Sequence, residues 1–316
     1  MKTLSCAVIT ALFTVAFATP LPNKRDGSPF DFLVIFGDSY SDDGFGYYYS
    51  SHGSTFPPPG TRADRFDTNA SGGLIWGQYI EQQTGATVYD YAVGGATCSN
   101  SIVTRSVPAV LDQTVPFYQT DSKSDLYKDV TAENTVYAIW IGTNDLGEFF
   151  GNHQQPGKTP SDYVNCIWNS FDLIYASGGR RFILLNNIAL DLAPVYQTPD
   201  EGGVVSTPYL PNKPEYNQDA IDQQMHDLVA SVNQQMVDEA PNNIATRWPD
   251  AKFSILNVNQ LSTDIYNNPQ SYLEAPYSTG FYQDCPAEGC PADRRLDSYM
   301  WNDALHPSNK TGKSQP

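Results

Sequence analysis

A serine after a strand-like run, an aspartate three residues before a histidine, and an asparagine behind a Gly-Thr pair are the residues of this 316-residue chain suited to nucleophilic catalysis. Ser39 lies in "FGDSYSDDG" (36–44), directly after "DFLVIF" (31–36). Strand ends collect Gly, Asp and Ser for reasons of turn geometry, so Ser39 needs a base before it counts as a nucleophile. Four histidines are available: His52, His153, His226 and His306. His226 falls inside a long amphipathic pattern, His153 in the polar loop "GNHQQPG", and His52 in an aromatic loop within reach of substrate. In "WNDALHPS", Asp303 stands three residues before His306, so in a helical turn or tight loop the two share one face. The carboxylate can then accept the ring proton and turn the other nitrogen toward a serine. Taken alone, D-x-x-H reads first as a capped surface turn. Serine attack also needs donors aimed at the developing oxyanion. "GTND" (142–145) offers the Asn144 amide, "AVGGAT" (92–97) a glycine N–H that can approach closely, and Ser39 its own backbone N–H. Each segment also has a plain reading, as a turn or as a strand exit.

Five short apolar runs are placed to position these groups: "DFLVIF" (31–36), "TVYDYAV" (87–93), "TVYAIWI" (135–141), "RFILLNN" (181–187) and "KFSILNV" (252–258). Near-continuous apolar runs suit strands covered on both sheet faces. Helical spacing lies between them, in "GGLIWGQYIEQQTG", "PSDYVNCIWNSFDLIYASGG" and "PEYNQDAIDQQMHDLVASVNQQMVDEAP". In the last, Ile221, Met225, Leu228, Val229, Val232 and Met236 fall on one face. Strands alternating with helices predict a doubly wound α/β sheet, with ligands beyond the carboxyl ends of the strands. Ser39, "GGAT" and "GTND" all sit at that edge. The segment 47–66, "YYYSSHGSTFPPPGTRADRF", reads as a loop over the site. With no linker or internal repeat, residues 26–316 are expected to form one domain.

The first residues carry an apolar run, "AVITALFTVAFA" (7–18), that closes on the small-residue pattern of a signal-peptidase site. Residues 1–18 therefore read as a signal peptide, and Lys24-Arg25 as a second processing site that would make 19–25 a propeptide. The run is short of the roughly 20 residues a bilayer span needs, so a secreted, extracellular protein without stable membrane association is expected. Losing Lys2, Lys24 and Arg25 and no acid moves the formal net charge from −17 to −20. Such a surface argues against nucleic acid, whose binding depends on Lys and Arg contacts to phosphate. Of five cysteines, Cys6 leaves with the signal. Cys285 and Cys290, separated by "PAEG", are expected to pair, which leaves Cys98 with Cys166. Their spacing lacks the Cys-x-x-Cys of zinc sites, and no metal or organic cofactor is expected. Asn69 and Asn309 open glycosylation sequons. No G-x-S-x-G elbow and no H-E-x-x-H occurs, which disfavours an α/β-hydrolase and a metalloprotease.

In order and context, Gly37-Asp38-Ser39, Gly95 in "YAVGGAT", Gly142-Thr143-Asn144-Asp145 and Asp303-Ala304-Leu305-His306-Pro307 resemble the four blocks of the GDSL, or SGNH, hydrolase superfamily. The resemblance spans about 31–308 and implies a three-layer, flavodoxin-like fold with a five-stranded parallel sheet flanked by helices. It implies Ser39 as nucleophile, His306 as base, Asp303 as its partner, and Ser39, Gly95 and Asn144 as oxyanion donors, with Gly94 as the neighbouring alternative. Within the superfamily, the "FGDSYSDDG" opening, the aromatic loop, "YAVGGAT" and "RWPDAKFSILNV" are most similar to secreted fungal acetylesterases of carbohydrate esterase family 16. That implies a monomeric serine esterase removing acetyl groups from xylo-oligosaccharides or related cell-wall sugars, with Asp38, Tyr40, Tyr48 and Trp301 expected at the substrate. The alternatives are a lipase or lysophospholipase of the same superfamily, and a sugar-binding relative without turnover. Relatives of this kind commonly carry a terminal helix after the last block, which the eight residues following Ser308 are not expected to supply.

Overall fold

The computed structural model describes residues 29–284 and 294–314. The signal and propeptide expectations, and the Cys285–Cys290 pair, lie outside the described residues. Five strands, β1 (Phe32–Gly37), β2 (Thr87–Asp90), β3 (Thr135–Trp140), β4 (Arg181–Leu185) and β5 (Lys252–Leu256), form one sheet in the order β2-β1-β3-β4-β5. Every neighbouring pair is parallel. This is the flavodoxin-like order, flanked by helices as expected. Central β3 is buried along its whole length and β1 from Leu33 onward, which is why both read as unbroken apolar runs. Strand β2 gives way after Asp90, whose carboxylate accepts the N–H groups of Ala92 (2.7 Å) and Asp43 (3.1 Å), although Tyr91 N–H and Val93 N–H still donate to Ile35 O (2.9 Å) and Gly37 O (3.1 Å).

Helices α1 (Phe45–Ser51), α2 (Trp76–Thr84), α3 (Val115–Asp121), α4 (Thr143–Phe150), α5 (Pro160–Ala176), α6 (Ile221–Arg247) and α7 (Val258–Asn267) fill the connections. Asp162 starts α5 by accepting the Thr159 N–H and hydroxyl, both at 2.9 Å. In α6, Ile221, Met225, Val229, Val232 and Met236 are buried as a stripe. The helix passes Pro241, where the sequence pattern had ended it, because Ala240 and Ile244 continue the stripe against the core.

Two expectations are corrected. The loop expected over 47–66 is helical in its first part, since Asp42 Oδ1 accepts the N–H groups of Gly44 (3.0 Å) and Gly46 (3.1 Å) and opens α1. Phe45, buried, and Phe56, half-buried, then stack at 5.5 Å against the core. A terminal helix is also present, α8 (Asn309–Ser314), packed against α2 after the parallel pair β6 (Ser278–Phe281) and β7 (Tyr299–Trp301). Cys98 and Cys166 form a disulfide that ties the segment after β2 to α5.

Candidate active site

Strand β1 ends at Gly37, and a turn follows in which the N–H groups of Ser41 and Asp42 both donate to Asp38 O at 3.0 Å. The turn leaves Ser39 partly exposed between two inward-facing neighbours, Asp38 and Tyr40. His306 Nε2 lies 2.8 Å from Ser39 Oγ, and His306 Nδ1 lies 2.9 Å from Asp303 Oδ2 and 3.0 Å from Oδ1. Asp303 Oδ1 also accepts the N–H groups of Leu305 and His306, both at 2.8 Å. Burial pushes the Asp303 carboxyl up, but the hydrogen bond and charge of His306 and these amides outweigh it and hold it below its ordinary value. The loop itself is closed by Asn302 N–H on His306 O (2.8 Å) and Ser308 N–H on Met300 O (2.9 Å). The arrangement can carry a proton from Ser39 to His306 while Asp303 holds the ring and balances its charge.

Two further segments reach the same edge of the sheet. The Gly94 N–H is spent on Asp42 Oδ2 at 2.7 Å, whereas the N–H groups of Ser39 and Gly95 have no acceptor among the described residues. Asn144 stands in the first turn of α4 and donates one of its two amide hydrogens to Ala96 O at 2.9 Å, which leaves the other available. Gly142 precedes this helix at φ 134°, and a Cβ there would sit 2.1 Å from both Asn187 Oδ1 and Tyr163 Oη, so only glycine admits the turn. Asp145, fully buried behind Asn144, accepts the Cys98 N–H with both carboxylate oxygens (3.0 and 3.2 Å). Burial raises its carboxyl to about 7 and that of Asp38 to about 6.

Of the residues expected at the substrate, Tyr40 lines the cavity beside Ser39 and His306, and Asp38, Tyr48 and Trp301 do not. Asp38 is only 1% exposed, because its carboxylate accepts the Tyr40 N–H and faces Thr143. Tyr40 is buried with its hydroxyl on Leu305 O at 2.8 Å, where it braces the histidine loop. Trp301 is 0% exposed at the end of β7. Tyr48 stacks on His52 at the surface, with ring centroids 3.9 Å apart. His153 and His226 are exposed beside Glu148 and Asp191. On the segment that follows the Ser39 turn, Tyr47, 62% exposed, and Phe66, whose N–H donates to Asp43 O, are left in solvent. Sequence reading missed Tyr209, whose hydroxyl donates to Asp303 Oδ2 at 2.7 Å. It also missed Asp42, although its place in "SDDG" before a helix start was a capping signal. Among the described residues no group of His, Cys, Asp and Glu is arranged to hold a metal ion.

The family model of the GDSL-like lipase/acylhydrolases matches residues 33–313, which takes in Ser39, Gly95, Asn144, Asp303 and His306. The chain belongs to this family. An acetylesterase of Hypocrea jecorina is 42% identical over 321 residues, covering 96% of this chain and 92% of the relative. An acetylesterase of Thermothelomyces thermophilus is 29% identical over 202 residues, covering 62% of this chain and 64% of the relative. A solved catalytic mutant of an acetylxylan esterase from Geobacillus stearothermophilus aligns with a TM-score of 0.40 at 13% identity, covering 90% of this chain and 89% of that one. The family assignment rests on the sequence matches.

Proposed function

We propose that this GDSL-like hydrolase is a secreted, monomeric, single-domain serine acetylesterase that removes O-acetyl groups from xylo-oligosaccharides or related plant cell-wall sugars. The observation that carries the reading is the chain Ser39 Oγ, His306 Nε2, His306 Nδ1, Asp303, with separations of 2.8 Å and 2.9 Å. The acetylesterase name of the Hypocrea jecorina relative, matched along nearly the whole chain, supports the acyl group assigned. In this mechanism His306 takes the Ser39 proton as Oγ attacks the acetyl carbonyl carbon. The tetrahedral oxyanion rests on the N–H groups of Ser39 and Gly95 and the free amide hydrogen of Asn144; Gly94 is excluded because Asp42 holds its N–H. As the acyl C–O bond breaks, His306 returns the proton to the departing sugar oxygen, and then activates water to release acetate from Ser39. The exposed pair Tyr47 and Phe66, with ring centroids 4.9 Å apart, offers apolar faces to a pyranose ring. Among the described residues no helix is long and apolar enough to cross a membrane.

The test is acetate release from acetylated xylo-oligosaccharides, run beside long-chain acyl esters, with the Ser39→Ala protein as blank. Acetate release that vanishes in Ser39→Ala is expected. Turnover of long acyl esters alone would overturn the acetyl reading, and a fully active Ser39→Ala protein would end the mechanism.

A further inference from the structure

The stretch between β4 and α6 passes over the Asp303–His306 loop and is fixed to it, Val195 N–H donating to Ala304 O at 2.9 Å. Lys213 is fully buried beneath this stretch, its ammonium donating to the carbonyl oxygens of Pro194 (3.3 Å) and Gln197. Between those anchors Thr207-Pro208-Tyr209-Leu210-Pro211 makes a tight turn, with Leu210 N–H on Thr207 O at 3.1 Å and the Leu210 side chain buried. Two prolines with fixed φ leave the turn little freedom. It delivers Tyr209, 44% exposed, to the rim of the site. The Tyr209 hydroxyl donates to Asp303 Oδ2 at 2.7 Å, and its ring stands edge-on to the His306 ring at a centroid distance of 5.3 Å.

We propose that Tyr209 is a positioning residue for the esterase base, fixing the Asp303 carboxylate so that His306 Nε2 stays aimed at Ser39. The inference rests on the serine-esterase reading above. The two oxygens of Asp303 are held differently. Oδ1 takes two backbone amides as well as the ring, whereas Oδ2 takes only His306 Nδ1 and the Tyr209 hydroxyl among the described residues. Without Tyr209, Oδ2 would hang on the imidazole alone. The carboxylate would turn more freely and, having lost a hydrogen bond to its charged form, would pull harder on the ring proton. Tyr209 donates throughout and does not exchange its proton, because burial and the adjoining Asp303 charge push its hydroxyl well above its ordinary value. The other titratable groups facing the pair are Asp38 from the β1 turn, whose carboxyl feels the His306 charge, and Tyr40, which feels Asp303. All remain in place when Tyr209 is changed.

The experiment measures kcat and KM for p-nitrophenyl acetate from pH 4 to 9 with wild type, Tyr209→Phe and Tyr209→Ala, with thermal melts of all three. Tyr209→Phe is expected to lower kcat about tenfold with KM unchanged and to move the acid limb of the rate profile up by roughly half a pH unit. Tyr209→Ala, which also removes the ring beside His306, should lose more rate and show the same displaced limb. A Tyr209→Phe protein with the wild-type limb and kcat would overturn the proposal. So would a loss of rate matched by a lowered melting temperature with the limb unmoved, since that is a structural role alone. A wild-type protein that does not hydrolyse the ester at all would overturn the esterase reading itself, an outcome distinct from active enzyme indifferent to Tyr209.

Discussion

The two halves of the candidate site are held by different means. The half carrying Ser39, Gly95 and Asn144 is built on the ends of β1, β2 and β3, and is tied by Asp42 to Gly94, by Asp145 to Cys98, and by a disulfide from Cys98 to α5. The half carrying Asp303 and His306 hangs on an irregular loop after β7 and is held by backbone bonds, by Tyr40 on Leu305 and by Tyr209 on Asp303. Oxyanion donors must be in place before charge develops, and fixed donors lose no reorganisation energy at that moment. A base must instead take up and release a proton twice in each cycle, so it is served by partners that adjust to charge. Damage to the first half should therefore reach stability as well as rate, and damage to the second should reach rate almost alone.

The largest expected effect tests the second half. His306→Ala should lose about four orders of magnitude or more in kcat while its melting temperature stays within a few degrees of wild type. Retention of a tenth of the activity would remove His306 from the mechanism. In the first half, Asn144→Ala should lower kcat by about 10² to 10³ with little change in KM. An equal rise in KM with kcat untouched would instead make Asn144 a contact for the ground state.

Next in size is the covalent tie. Replacing Cys98 and Cys166 together by serine should cost about 2–5 kcal/mol of stability, as for other native disulfides that close a loop of this kind, here of sequence separation 68. Because the oxyanion donor Gly95 lies three residues before Cys98, the variant should also lose rate near its melting temperature sooner than wild type does. Denaturant melts beside activity measured at each denaturant concentration would show it; unaltered stability would mean that Asp145 and the sheet already hold the segment.

The same contrast explains what could be read in the sequence. The five strands, the three principal helices and the order of Ser39, Asn144, Asp303 and His306 follow local rules: apolar runs, turn residues at strand ends, and an i, i+3 spacing. Gly94 and Gly95 are indistinguishable in sequence, because what separates them is a bond from Asp42, 52 residues away. Asp38 and Tyr40 looked like substrate contacts since polar and aromatic residues beside a nucleophile often are. They face inward because a turn that exposes Ser39 must turn its neighbours in, whereas Trp301 is buried as the last residue of β7. Tyr209 was invisible for the complementary reason. It lies 94 positions from Asp303 in a proline-rich stretch with no periodicity, and only tertiary packing brings its hydroxyl to the carboxylate.

The last contrast is a pH dependence in which the halves differ in sign. Asp145 in the first half is raised by burial from its ordinary 3.8 to about 7, and Asp38 to about 6. Below pH 4 both are protonated in folded and unfolded chains alike, and their contribution is complete. As pH rises from 4 through 7 the unfolded chain releases these protons while the fold retains them, so stability falls, by at most about 1.4 kcal/mol per pH unit for each group. Asp303 in the second half is lowered, so its contribution is present above 4 and disappears only as pH falls through its folded value. Melting temperature should thus decline between pH 4 and 7 and level off above that. Asp145→Asn, whose Oδ1 can still accept the Cys98 N–H, should flatten that decline without shifting the acid side. A variant with the wild-type slope would mean that Asp145 is ionised in the fold at neutral pH, and that the first half tolerates a buried charge better than its burial allows.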